Sequence, residues 1–206
     1  MKNNKPVIEL HFLNKYEILN NYEKVIESFT KDEAKDLIKL ENPDRIIKEI
    51  SSRLLINKYS GEGVLKHSDS GKPYKDNSIF FNISNSEEVS VIAVSDREVG
   101  VDIEKIRTMK NKVIKYALSE KEYESMETID DFFKMWTIKE SVGKCLGIGL
   151  TKGIKKIPTE PTKHFMGKDL TSLYTTIEGY ALALTYVGFD EVEVKVFNES
   201  VNTLID

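Results

Sequence analysis

The chain has 206 residues, 40% hydrophobic and 31% charged, enough apolar material for a buried core in one domain or in two small halves packed together. Its 30 lysines and arginines against 34 aspartates and glutamates leave a net charge of -4, which argues against a protein that coats nucleic acid or an anionic membrane. A single cysteine, Cys145, excludes an internal disulfide and a cysteine-rich zinc site, and with neither a signal sequence nor an apolar span in view the expectation is a cytoplasmic protein.

Residues 7–13 alternate, with Ile8, Leu10 and Phe12 on one face, which predicts a strand. Thr30 followed by Glu33 has capping-box spacing for a short helix. Asn42-Pro43 supplies a cap and a first-turn proline for the next helix, which carries Ile46, Ile47, Ile50 and Leu54 and stops near Gly61. A polar loop over 60–78 leads into three short strands, 79–84, 89–94 and 98–104, the last two joined by a turn at Ser95-Asp96-Arg97. The same order then recurs: 111–126 and 131–146 read as helices, and 171–198 offers three more strands, in which Ala181, Ala183, Thr185 and Val187 alternate with Leu182, Leu184 and Tyr186. The expected fold is α+β, two similar halves (1–105 and 106–206) related by a pseudo-two-fold, each with helices on a small antiparallel sheet. The recurrence is one of pattern only, without shared sequence, and a cleft between the halves is the natural ligand site. Residues 199–206 read as a frayed tail.

Three groups carry chemistry. In Val99-Gly100-Val101-Asp102-Ile103-Glu104 the alternation buries Val99, Val101 and Ile103 and turns Asp102 and Glu104 to the other face, about 6 to 7 Å apart along the strand. Two such carboxylates suit a hard divalent cation, although taken alone the pair reads more simply as a solvated strand face. Glu140 and Lys144 are four apart on one helix face, a spacing that serves a phosphate-metal centre or an ordinary surface ion pair. Gly71-Lys72-Pro73 and Phe81-Asn82-Ile83-Ser84-Asn85-Ser86 offer a restrained lysine and neutral hydrogen-bond partners, or else a plain turn.

In order and spacing, G-K-P at 71–73, F-N-I-S-N-S at 81–86, G-V-D-I-E at 100–104 and W-T-I-K-E-S-V-G-K at 136–144 resemble the 4′-phosphopantetheinyl transferase family, in particular the monomeric, double-length type that activates nonribosomal peptide synthetases. The resemblance spans about residues 45–150 and implies a holo-carrier-protein synthase. Asp102, Glu104 and Glu140 would hold Mg2+, or Mn2+ in its place. Glu140 would also be the base for the carrier serine, and Lys144 would meet the phosphate under attack. Lys72, Pro73, Ser84 and Asn85 would line the nucleotide end of coenzyme A, the substrate, with Arg45, or alternatively Arg53, on its 3′-phosphate. The other partner would be an apo acyl carrier protein or peptidyl carrier domain, with no nucleic acid and no membrane involved. The family usually has histidine where Asn85 stands, and asparagine supplies no positive charge there.

Glu122 falls near a family glutamate, but the capping box Ser119-Glu120-Lys121-Glu122 accounts for it without catalysis. His67 and His164 read as surface residues, and Cys145 as a small packed hydrophobe. Lys112, Lys115 and Lys121 are candidates for docking an acidic carrier. Two other functions compete: a non-catalytic module that binds carrier proteins or coenzyme A, and a metal-dependent phosphoesterase using the same carboxylates with water as acceptor.

Overall fold

The computed structural model describes residues 5–149 and 153–205. Ten strands and eight α-helices follow in chain order: β1 (Val7–Asn14), α1 (Lys15–Asn20), α2 (Tyr22–Glu27), α3 (Lys31–Ile38), α4 (Pro43–Tyr59), β2 (Lys66–His67), β3 (Pro73–Tyr74), β4 (Phe80–Ser86), β5 (Val89–Ser95), β6 (Val99–Lys105), α5 (Asn111–Ala117), α6 (Glu120–Ser125), α7 (Ile129–Leu146), β7 (Thr162–Phe165), β8 (Lys168–Ile177), β9 (Tyr180–Val187), β10 (Glu193–Glu199) and α8 (Val201–Ile205). The expected mixture of helices and small sheets is what the chain forms.

The helix starts follow local chemistry. Thr30 with Glu33, Ser119 with Glu122 and Thr128 with Asp131 form reciprocal capping boxes, and the Asn42 side chain caps α4 through Arg45 N–H. The expected helix over 111–126 is broken in two, because Leu118 is extended and Ser119 starts a fresh capping box. The expected frayed tail is instead a helix with Val201 and Leu204 buried in the core.

Two four-stranded sheets form, in the orders β10-β1-β5-β4 and β6-β9-β8-β7; every pairing is antiparallel except β1 with β10. The sheets do not follow the 1–105 and 106–206 halves. Strand β6 pairs with β9 in the second sheet, and β10 returns to the first. Apolar faces of the two sheets share one cluster, with Ile8, Leu10, Val91 and Ala93 from the first and Val99, Val101, Ile103, Leu182 and Leu184 from the second. Helices cover the remaining faces: Leu13, Ile50, Leu54, Leu55 and Ile92 belong to a core under α4, and Ile138, Val142, Leu170 and Ala183 to one under α7.

Strand β6 is the edge of its sheet, so alternate N–H groups have no strand partner. Side chains of β4 supply the acceptors. Asn82 Oδ1 accepts from Val101 N–H at 2.9 Å, Ser84 Oγ from Ile103 N–H at 3.3 Å, and Ser86 Oγ from Lys105 N–H at 2.9 Å. The period of two along both strands makes this a seam of side-chain-to-backbone bonds joining the two sheets.

Candidate active site

The site begins with a glycine. A Cβ on Gly100 would stand 2.1 Å from the Ser141 carbonyl oxygen and 2.3 Å from the Cys145 nitrogen, so only glycine lets α7 lie this close on β6. That approach sets Glu140 and Lys144 over the β6 face that carries Asp102 and Glu104. Both faces of β6 are therefore covered, and Asp102 is 3% exposed, which removes the solvated-strand reading.

Asp102 Oδ1 takes two hydrogen bonds, from Lys144 Nζ at 2.7 Å and Ser84 Oγ at 2.9 Å, while Oδ2 is buried with no partner. Lys144 Nζ also donates to Ser84 Oγ at 2.8 Å. Glu104 accepts from Ser86 Oγ at 3.2 Å, and Arg107 lies 3.9 Å away. Burial pushes all three carboxyls up. For Asp102 it outweighs Lys144 and Ser84, and for Glu104 it is joined by the Asp102 charge against Ser86, Arg107 and Trp136. Glu140 is pushed up to about 7 by burial and then by Asp102, with Lys144 pulling the other way and Glu104 adding to the rise. The cluster is an acidic pocket balanced by Lys144, with Arg107 beside Glu104, and a divalent cation would relieve it.

Among the described residues, no three His, Cys, Asp or Glu side chains are gathered tightly enough to enclose an ion as they stand. The orphaned Asp102 Oδ2 and an all-oxygen donor set nevertheless fit a hard cation such as magnesium.

One hollow borders this cluster, and a second lies beside Asn85. The first, of about 210 Å³, is lined by Ser70, Gly71, Lys72, Pro73, Asn82, Glu140 and Lys144, among others. The other, of about 460 Å³, lies among Lys15, Tyr16, Asp44, Lys48, Asn85 and Glu87. Strand alternation separates Ser84 from Asn85: Ser84 faces β6, and Asn85 faces α4, where its amide oxygen accepts from Ser51 at 3.3 Å and from Ser90, and its NH2 donates to Ser52 at 3.1 Å.

A family profile described as the 4′-phosphopantetheinyl transferase superfamily matches residues 98–185. The likeness to that superfamily is thus carried by residues 98–185. Among its curated relatives, the 4′-phosphopantetheinyl transferase gsp of Aneurinibacillus migulanus is 33% identical over 135 residues, 59% of this chain and 57% of that protein. HetI of Nostoc is 30% identical over 121 residues, 50% of this chain and 51% of its own. Sfp of Bacillus subtilis is 34% identical over 77 residues, 34% of each. The chain thus spans about half the length of the first two.

The superfamily segment runs from the start of β6 into β9 and contains Asp102, Glu104, Glu140 and Lys144. Lys72 and Pro73 line the smaller hollow, but the Lys72 ammonium also donates to Val99 O at 3.2 Å and Cys145 O at 2.9 Å, which leaves one of its three N–H bonds to spend. Arg45 is exposed on the first turn of α4 and is not among the residues that line the larger hollow. Arg53 is held by Glu49 at 2.9 Å. Cys145 is buried and its thiol is pushed up to about 12, chiefly by burial. His67 is exposed, and His164 pairs with Asp169 at 2.8 Å on the surface.

Sequence reasoning missed Lys15 and Lys48 beside Asn85, and it singled out Asn82 and Ser86 within F-N-I-S-N-S without their part in the seam, which no local signal marks. It gave Glu122 only its cap, and Glu122 also binds the Lys139 ammonium at 2.7 Å. That buried lysine one residue before Glu140 was the available signal.

Proposed function

We propose that the chain transfers 4′-phosphopantetheine from coenzyme A to a serine of an apo acyl or peptidyl carrier protein, releasing 3′,5′-ADP. The observation that carries this reading is the buried cluster of Asp102, Glu140 and Lys144 beside a hollow, within the segment that matches the superfamily. Asp102, Glu104 and Glu140 would hold Mg2+, or Mn2+ in its place. When bound, the ion would neutralise charge on the pyrophosphate of coenzyme A.

Glu140 would take the proton of the carrier serine, directly or through a water. The serine oxygen then bonds to the phosphorus that carries the pantetheine, and the phosphoanhydride P–O bond breaks. Lys144, which lines the smaller hollow, would meet that phosphate and offset the charge gained by departing 3′,5′-ADP. Lys72 and Pro73 would contact the nucleotide. The 3′-phosphate falls to the hollow beside Asn85, with Lys15, Lys48 and Arg45 supplying the charge that Asn85 lacks.

The two halves fit a pseudo-repeat. Strand, helices and hairpin occur twice, giving strand orders β1-β5-β4 and β6-β9-β8 with α4 and α7 as the long helices. On this reading the division lies at the β5–β6 turn, residues 96–98, and not at 105. Exposed Lys112, Lys115 and Lys121, with Tyr116 57% exposed among them, offer an acidic carrier a docking face. The enzyme would act as a monomer in the cytoplasm; among the described residues no helix is long and apolar enough to cross a membrane.

The test is mass spectrometry of one fatty-acid carrier and one peptidyl carrier incubated with the protein, coenzyme A and magnesium. The expected result is a phosphopantetheine mass added to a carrier serine. No addition to any of several carriers, or release of 3′,5′-ADP without a carrier, sinks the transferase reading, the latter in favour of a phosphoesterase.

A further inference from the structure

Ser84 occupies an unusual place in the seam. Asn82 and Ser86 each accept one backbone N–H from β6, and so does Ser84, but its hydroxyl alone also touches both Asp102 and Lys144. A hydroxyl has one proton to donate and two lone pairs to accept with. Here the proton goes to Asp102 Oδ1 at 2.9 Å, and the lone pairs receive Ile103 N–H at 3.3 Å and Lys144 Nζ at 2.8 Å. Every capacity is used, and the residue is only 5% exposed. Nothing remains with which to bind a nucleotide.

We infer that Ser84 is a positioning residue that sets Asp102 and Lys144 against each other, and that it makes no contact with coenzyme A. Resting as it does on the transferase reading, the inference replaces one contact expected within it. The physical content is rotational. With Ser84 and Lys144 both on Oδ1, the Asp102 carboxylate cannot turn about its Cβ–Cγ bond without breaking two hydrogen bonds, so Oδ2 is held as the uncommitted oxygen. The third bond, to Ile103 N–H, ties this arrangement to the β4–β6 seam, so the first sheet holds the acidic residue of the second. Hydrogen bonds of this kind to a metal-binding carboxylate are typically worth about 10- to 100-fold in affinity or rate.

The experiment compares wild type with Ser84→Ala and Ser84→Thr in two assays: steady-state transfer to a carrier, and Mn2+ binding by calorimetry without coenzyme A or carrier. For Ser84→Ala we expect kcat to fall about 10- to 100-fold with KM for coenzyme A within about twofold, and Mn2+ affinity to fall about tenfold. Ser84→Thr, which keeps the hydroxyl, restores kcat to within about threefold of wild type. A raised KM with kcat intact would reveal a nucleotide contact and overturn the inference. So would unchanged Mn2+ affinity in Ser84→Ala, or a folded threonine variant as slow as the alanine one. If Ser84→Ala is not folded at the assay temperature, Ser84→Cys, of similar shape but a poorer donor, must show the same split. A wild type that transfers nothing sinks the transferase reading instead, and the Mn2+ comparison still decides for or against Ser84.

Discussion

Glu140 and Glu122 are both partly buried glutamates near a lysine, yet their surroundings move them in opposite directions. Around Glu140 burial and two like charges win, so its carboxyl rises to about 7. Replacing it by glutamine removes the proton acceptor and keeps the shape; transfer should fall by about 10²- to 10⁴-fold, with no fall in melting temperature at pH 8, since a disfavoured charge is lost as well. A variant that keeps its turnover would point to a binding module. Around Glu122 burial also pushes upward, but the Lys139 ammonium, the Ser119 N–H and the Ser119 hydroxyl outweigh it, and the carboxyl stays below its ordinary value. A lowered carboxyl contributes stability that is complete above its unfolded value, about 4.5, and lost as pH falls through the folded one. Glu122→Gln should therefore flatten the acid limb of the stability profile. It should also cost about 3 to 5 kcal/mol at neutral pH, because Lys139, 0% exposed, would be left buried without its carboxylate. Urea titrations at pH 7 and pH 3 give both numbers, and parallel acid limbs for wild type and variant would refute the assignment.

At the scale of elements, the decisive contact is α7 on β6. Gly100→Ala must push the strand from the helix, since the added carbon would meet backbone atoms and not a side chain that could swing away. Overpacking against backbone should cost at least about 3 kcal/mol and pull Glu140 and Lys144 from Asp102, so transfer falls in whatever fraction still folds. Denaturant unfolding checks it, and a loss under about 1 kcal/mol would mean the two elements can separate freely. Elements whose signal is local were legible in the chain: the caps at Thr30 and Asn42, the alternation in β1 and β9, and the acidic pair on β6. Two local signals were misread. Ser119 was recognised as a cap and still placed inside one helix, and Val201 with Leu204 on a short polar tail gave no periodicity long enough to show a buried face. The seam was not legible at all, because which N–H groups a strand leaves unpaired depends on a neighbour almost twenty residues away. For the same reason Ser84 and Asn85, adjacent in sequence, were assigned to one ligand although a strand turns them to opposite faces.

For the whole molecule, the question is whether two halves behave as two domains. They share one apolar cluster between the sheets and the seam from β4 to β6, and the last segment of the chain binds back across the first sheet. That return is anchored. His11 on β1 stacks on Tyr59 of α4 at 3.6 Å and on Phe197 of β10 at 4.8 Å, and its Nδ1 shares a hydrogen bond with Glu199 at 2.8 Å. Beyond β10, Leu204 and Val201 fill the core formed by Leu13, Ile50 and Leu55. Calorimetry should accordingly give one transition, with the calorimetric and van't Hoff enthalpies equal, and not two. Leu204→Ala should lower stability by about 2 to 5 kcal/mol, the range for a buried leucine whose cavity cannot fully close. Because the halves unfold together, that loss should shift the whole transition and not split off a fraction of it. Removing residues 188–206 goes further: it strips β1 of its parallel partner and opens the core under α4, so the shortened chain should lose its cooperative transition although every group of the acidic cluster lies outside the deleted segment. A truncated protein that still melted in one sharp step would show that the first sheet closes without its returning strand.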